Sequence, residues 1–327
     1  MNMPTRSMAL SCLFVAAGMT TAAPRLAAAE NYPNRTIKIV VPVPPGPLLD
    51  VVPRIIGEKL SAKWGVPVII ENRPGAAQHL GAEAVAKSEP DGYTLLASPP
   101  GPLVVSQHIR SKLGFDPSAF VPVSVMVKFP MALVAHPKVP ASNLQAFLAY
   151  AKANTSKLNY GSPGVGSPPH LAAEQLMKAA GISFAHVPYQ GMAPAMNDLI
   201  AGHIDVMIDV FGNAWPNVKE GKLKLLAVTS PARLPEAPDV ATVAETLPGY
   251  AHVEWFAIVA PPKTPAHIAT KLSAAIAETL KLPDVAKRLR DYVLQPVGSS
   301  PSETADFVKG ESERWRKVIE ATGLKIN

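Results

Sequence analysis

Cys12 is the only cysteine in the 327-residue chain, and it falls in an N-terminal segment that reads as removable. Without that segment the protein has neither a disulfide nor thiol chemistry. Charge of either sign is sparse: 31 basic residues are scattered among 25 acidic ones, and no Lys/Arg block offers a nucleic-acid footprint. No later run of about 18 apolar residues suggests a membrane span. Catalytic signatures are missing too. There is no G-x-S-x-G elbow, and GSSPS at 298–302 lacks the final glycine. GVGSPP lacks the third glycine of a dinucleotide fingerprint, and no G-x-x-x-x-G-K-[ST] occurs. The eight histidines show no metal-ligand spacing. A hydrolase built on Ser162 or Ser167 with His170 is disfavoured, because His170 is too near Ser167 in sequence to aim at it in the usual way. An enzyme, a cofactor and a bound metal are therefore not expected.

The first 29 residues have a positive start (Arg6), a short apolar core (MALSCLFVAAGM) and the small residues Ala27, Ala28 and Ala29. That order predicts a secretory signal cut before Glu30. A lipid anchor at Cys12 fits less well, since only Ala-Leu precedes Ser-Cys and the apolar core lies mostly after it. Loss of Arg6 and Arg25 leaves 29 basic against 25 acidic residues, a mild excess. The expected product is exported, periplasmic and soluble.

In the mature chain, short Val/Ile/Leu-rich runs alternate with helical patterns, which predicts an α/β fold with largely parallel sheets. Strands are expected at 36–43, 67–72, 93–98, 122–127, 131–137, 157–161, 184–189, 204–210, 224–230 and 255–261. Helices are expected at 48–64, 77–88, 143–154, 169–180, 192–201, 265–281, 284–292 and 302–322. The 35 prolines sit at strand–helix junctions and form no polyproline tract. Two strand–strand passages, near 122–137 and 250–261, lack an intervening helix. They suggest a chain that leaves one lobe (30–127 plus 251–327) for another (128–250) and returns.

In such sheets ligands sit beyond the carboxyl ends of the strands. Five segments follow those ends: PPGPLLD (44–50), PPGPL (99–103), SPGVGSPPH (162–170), QGMAP (190–194) and FGNAW (211–215). All are rich in Gly, Pro or small residues and none carries Lys or Arg, so an anion held there would rely on backbone N–H groups and helix N-termini. Ser167 is a good N-cap, with Pro168 and Pro169 at the first helical positions, and Gly164 and Gly166 let the backbone turn its amides. The same stretch also serves as ordinary helix capping. Asp50 reads as a first-turn carboxylate on helix 48–64. Asp209 either faces the cleft or accepts hydrogen bonds from a neighbouring loop, because an unpaired buried carboxylate is costly. His170 is either structural or a donor to a ligand oxygen. Phe211 and Trp215 are either core or the floor of a cleft.

These loops also carry a resemblance. YPNRTIKIVVPVPPG, ENRPGAA, PDGYTLLAS, KLNYGSPGVGSPPHLAAE, HVPYQGMAPAMNDLIAGHIDVMID, GKLKLLAVTS and WFAIVAPPKTP recur in order over nearly the whole mature chain. In them the chain resembles the Bug-type extracytoplasmic solute receptors, the substrate-binding subunits of tripartite tricarboxylate transporters. The resemblance implies a type II periplasmic binding protein, two-lobed and monomeric, that closes on a small organic carboxylate and passes it to membrane subunits. It implies no chemistry and no cofactor. Carried over by position, the ligand-binding set is Pro45, Gly46, Pro47, Leu48 and Leu49 in the first loop, Ser162, Gly164, Gly166, Ser167 and His170 in the second, and Ser98 and Asp209 at two other strand ends; the segments after the strand ends add Gln190 and Phe211. The chain departs from the family pattern at Pro47, Leu48 and Leu49, and at Pro168 and Pro169. Proline has no N–H to donate, so fewer donors and more carbon at the rim favour an aromatic or longer-chain acid. Mono- and dicarboxylates both stay open. A sensor that presents its closed form to a membrane signalling partner would share the same pocket.

Overall fold

A computed structural model of the protein describes Met1 and residues 32–154, 157–250 and 252–322. Apart from Met1, the leader read over residues 1–29 lies outside the described residues. The contacts divide the chain into Met1–Tyr32 and Pro33–Asn327, and every element lies in the second unit. In chain order these are β1 (Ile37–Val41), α1 (Leu48–Trp64), β2 (Val68–Asn72), α2 (His79–Ala86), β3 (Thr94–Ser98), α3 (Ser106–Ile109), β4 (Val121–Ala135), α4 (Leu144–Ala153), β5 (Asn159–Ser162), α5 (Pro168–Ala180) and β6 (Ala185–Pro188). There follow α6 (Met192–Ala201), β7 (Val206–Val210), α7 (Phe211–Lys219), β8 (Lys224–Val228), α8 (Val243–Thr246), β9 (Val253–Ala260), α9 (Ala266–Leu280), α10 (Pro283–Asp291), β10 (Gln295–Pro296) and α11 (Pro301–Thr322).

The strands form one mixed sheet in the order β2-β1-β3-β9-β4-β7-β5-β6, with β8 and β10 also paired to β4. The parallel pairs expected from the alternating pattern make up its flanks, β1 with β2 and β3, and β5 with β6 and β7. The centre is antiparallel, because β9 and β4 run against their neighbours. β4 is the shared element. Its residues Val121–Pro130 pair with β9, and Met131–Ala135 pair with β7 and β8. The strands expected at 122–127 and 131–137 are thus one strand. Lys128-Phe129-Pro130 reads as a break, since proline gives no ladder donor. It is tolerated here because Pro130, opposite Val253, sits where pairing passes from one partner to the next.

The core divides along the same line. One cluster of buried side chains draws only on residues 131–250, including Phe147, Tyr160 and Ile208. Another draws on residues 40–125 and 255–319, with Trp255 and Trp315 at its centre and Leu171 reaching in. Helix α7 arises where a loop was expected. Gly212, Asn213 and Pro216 argue against a helix, but burial of Phe211 and Ala214 overrides weak local propensity. The helix expected at 77–88 begins only at His79, after a turn of opposite hand: Ala76, Ala77 and Gln78 have φ of 47°, 51° and 75°. Left-handed backbone costs a residue with a Cβ about 1–2 kcal/mol, and three in succession mark a segment held by its surroundings.

Candidate functional site

A cleft of about 680 Å³ opens beside the strand crossing, within the range of small-molecule sites. Its walls come from four places. The left-handed turn contributes Ala77, Gln78 and His79, and the segment after β3 contributes Pro99, Gly101, Ser106, Ile109 and Arg110. The loop between β5 and α5 contributes Pro163 to Pro169, and the loop between β6 and α6 contributes Pro188 to Gly191. The floor is Phe129, Met131, Val210, Glu254 and Phe256. The Phe129 and Phe256 rings pack at 4.7 Å between centroids. The cleft is therefore a slot whose floor is mostly carbon, with one carboxylate, Glu254, set into it and further polar groups at the rim.

Of the residues expected at the site, Gly164, Gly166, Ser167 and Gln190 line this cleft. Ser162 and His170 lie buried directly behind it. Here the sequence pattern dictates a self-contained loop. Ser167 caps α5 by accepting from the His170 amide at 3.4 Å and donates its own hydroxyl to the Gly164 carbonyl at 2.7 Å. The Gly164 amide donates to Ser162 Oγ and the Gly166 amide to His170 Nδ1, each at 3.2 Å. Pro168 and Pro169 have no amide hydrogen to offer. The amides expected to face a ligand are thus largely spent inside the loop. Uncapped amides lie elsewhere: α6 starts after Gly191, a cleft residue whose φ is 121°, with no side-chain cap, so the Met192 and Ala193 amides have no side-chain acceptor, while Pro194 has no amide hydrogen.

The first loop is placed apart from the cleft lining. Pro45, Gly46 and Pro47 are exposed, Leu48 is half-buried and Leu49 belongs to the core. Asp50 organises this loop. Its carboxylate accepts from the Gly46 amide (3.0 Å), from Arg54 Nε and Nη2 (3.0 and 2.8 Å) and from Asn72 Nδ2 (2.8 Å). Burial alone would raise its pKa, but the hydrogen bonds from Arg54, Asn72 and Gly46 outweigh it and hold the group below the ordinary aspartate range. Ser98 is buried and donates to the Pro99 carbonyl at 2.9 Å, placing Pro99 rather than itself at the cleft. Phe211 is wholly buried, stacked on Trp215 at 5.1 Å.

Asp209 is buried at the end of β7, and its neighbour Val210 reaches the cleft. Its Oδ1 accepts from the Val210 amide at 2.6 Å, while Oδ2 has no hydrogen-bond partner among the described residues. Burial pushes its pKa up to about 7, against smaller opposing effects of the Val210 amide and the nearby Asn213 side chain, which falls short of hydrogen-bond geometry. The unfolded chain releases this proton near pH 4 and the folded chain near 7, so stability is lost as pH rises through that window. Asp209→Asn should therefore raise Tm at pH 8 by roughly 4–8 °C, equivalent to about 2 kcal/mol, with the gain vanishing towards pH 4. A gain of equal size at both pH values would show that the carboxyl is not titrating there.

Arg110 was not visible as a site residue in the sequence, because it lies beyond the loop that ends β3, after an unexpected helical stretch. Gly101–Val105 forms a wide π turn and α3 continues it, so Arg110 follows the helix end and its side chain lines the cleft. Its Nε is buried without a partner, and no carboxylate pairs with it among the described residues. His79 bridges the Ala76 carbonyl and the Ser106 hydroxyl. Burial, and then the nearby Arg110 charge, lower its pKa despite the Ala76 contact. Glu254, in the floor, has its Oε1 at 2.9 Å from His252 Nε2 without hydrogen-bond geometry. Among the described residues no cluster of three His, Cys, Asp or Glu could hold a metal, and no helix is long and apolar enough to cross a membrane.

Comparison with known proteins agrees with this architecture. Residues 52–324 match TctC, the tripartite tricarboxylate transporter family receptor. BugT of Bordetella pertussis is 34% identical over 330 aligned residues, covering all of both chains. The structure of Rpa4515 from R. palustris with adipate superposes with a TM-score of 0.83 at 32% identity, covering 90% of this chain and 99% of that one. MatC from Rhodopseudomonas palustris with bound malate gives 0.78 at 34% identity, covering 88% and 100%. The fold is that of the α/β periplasmic binding proteins. With the family match spanning most of its length, the chain belongs to the receptor family of the tripartite tricarboxylate transporters.

Proposed function

We propose that the protein captures a small organic carboxylate with an aromatic or longer carbon body and, without chemistry, delivers it to the membrane subunits of a tripartite transporter. It acts as a periplasmic monomer with its leader removed. The observation that carries this reading is the guanidinium of Arg110, which has no ion pair among the described residues, over a floor where Phe129, Met131, Val210 and Phe256 outnumber the one acid, Glu254. An unpaired cation at an apolar slot calls for an anion with a carbon body. The uncapped amides at the start of α6 add a second grip for negative charge. Adipate and malate in the related structures are small organic carboxylates, and adipate has the longer carbon body.

Capture works by closure of two lobes, 30–127 plus 251–327 and 128–250. The change of β4 partners at Pro130/Met131 and the division of the core support that boundary. A thermal-shift screen of the full chain tests the reading with adipate, malate, benzoate and phenylacetate, each beside its neutral amide. A ligand at 100 times its Kd adds about 2.7 kcal/mol of stability. Aromatic or longer acids should raise Tm and the amides should not. Equal shifts from acids and amides, or preference for the smallest acid, would count against it.

A further inference from the structure

A second cavity, of about 750 Å³, has Phe129 in its lining as the cleft does. We infer that it is a separate binding site for an organic anion with an apolar body. Its walls are residues 128–130 of β4, Val253 of β9, the loop after β8, the segment from Arg290 to Pro296, and the face of α11 bearing Phe307, Glu311 and Arg314. The carbon surface includes Phe129, Leu294 and Phe307.

Charge selects the ligand. Lys128 and Arg290 line the cavity, and neither pairs with a carboxylate among the described residues. The Lys128 ammonium sits 4.0 Å over the Phe307 ring, its positive charge otherwise unanswered. Arg314 gives Nε and Nη2 to Glu311, both at 2.8 Å, yet its Nη1 is buried with no acceptor. Glu311 is already engaged, since it also accepts from the Trp255 indole at 2.9 Å. The remaining acid, Glu236, is exposed at the rim. The lining thus holds three basic residues against two acids, Glu236 and Glu311, and because Glu311 is spent on Arg314, Lys128 and Arg290 are left against the exposed Glu236 alone. A cation would be repelled, a guest without an acceptor would leave Arg314 Nη1 unsatisfied, and a neutral acceptor would leave the charges of Lys128 and Arg290 unanswered.

Two further features belong to this cavity. Val293, in its wall, has a φ of 57°, a backbone setting that a β-branched residue adopts only under constraint. Phe129 lines both this cavity and the cleft, so a guest in either touches the same ring. The two sites are therefore placed to influence one another's affinity reciprocally.

The probe is 8-anilinonaphthalene-1-sulfonate, titrated by fluorescence into the full chain. A saturable site is expected that persists when the cleft is occupied by excess adipate. It should weaken at least tenfold in Lys128→Glu/Arg290→Glu and keep its affinity in Arg110→Ala. The neutral N-phenyl-1-naphthylamine should bind at least tenfold more weakly than the sulfonate to the unaltered protein, a comparison that needs no variant to fold. Unchanged affinity in the charge-reversed protein, loss in Arg110→Ala, or equal binding of the neutral dye would overturn the assignment. Carboxylate binding in the cleft is read separately, by thermal shift, so failure of one site does not imply failure of the other.

Discussion

Arg110→Ala should weaken binding of the preferred carboxylate ten- to a hundredfold while leaving the unliganded protein at least as stable as the parent. A hydrogen bond to a charged group contributes about 1.5–3 kcal/mol, and each 1.4 kcal/mol is tenfold in Kd. The stability half of the result separates a ligand contact from a structural role. A guanidinium whose Nε is buried without a partner carries an uncompensated desolvation cost in the empty fold, and its removal relieves that cost. Arg110→Lys should recover part of the affinity, because it keeps the charge but loses the planar fork that meets a carboxylate with two bonds. Calorimetric titration beside a melting curve checks both halves. Unchanged affinity in the alanine variant would move the anion grip to the backbone alone, as the loop composition by itself suggests.

The second large effect is acid sensitivity of the loop between β5 and α5. His170 and His186 lie with ring centroids 4.3 Å apart, and the Tyr160 ring stacks on His186 at 4.7 Å. Burial lowers the pKa of His170 to about 4. Burial, and then the charge His170 would carry, lower His186 to about 4, with Glu174 opposing. Geometry demands the neutral form at His170, whose Nδ1 uses its lone pair to accept the Gly166 amide. Both groups titrate near 6.5 in the unfolded chain. Their contribution is fully present above that pH and is lost as pH falls from about 6.5 towards 4. Discounting for the partial exposure of His186, the loss is about 2–4 kcal/mol, or roughly 5–12 °C in Tm.

Asp209 has the opposite slope over much of the same range, so the histidine effect is best read in Asp209→Asn. In that background Tm should fall steeply from pH 7 to 5. Adding His170→Asn, which keeps an acceptor for Gly166, together with His186→Gln should flatten the curve. An equally steep fall in the triple variant would place the acid-sensitive groups elsewhere.

How much of this was legible in the sequence depends on the distance over which each feature is decided. Strands buried on both faces announce themselves as Val/Ile/Leu runs, and the parallel flanks follow from their alternation with helices. The loop at 162–170 was readable as a shaped helix lip because serine and proline have local consequences there. What its amides do was not readable. Whether Gly166 donates to a guest or to His170 depends on where the imidazole packs, and that is set by Tyr160 and His186 on neighbouring strands.

Arg110 was hidden for a related reason. Its nearest strand end is β3, but the intervening turn is a π-helical one that residue preferences do not foretell. Asp50 could be placed at the start of α1 from its position alone, yet its grip on Gly46 and Asn72 joins segments 22 residues apart. Pro130 misled for a physical reason, since proline opposes a central strand except at a change of partner, and a change of partner is a property of the whole sheet.

The stretch from Ala76 to Gln78 carries a consequence for capture. Glycine would form such a bend readily and would also leave it loose. Alanine and glutamine form it reluctantly and keep it only because the surrounding structure holds them there. That side of the mouth therefore takes its bent shape in the empty protein, and a guest seated against it does not have to impose the bend.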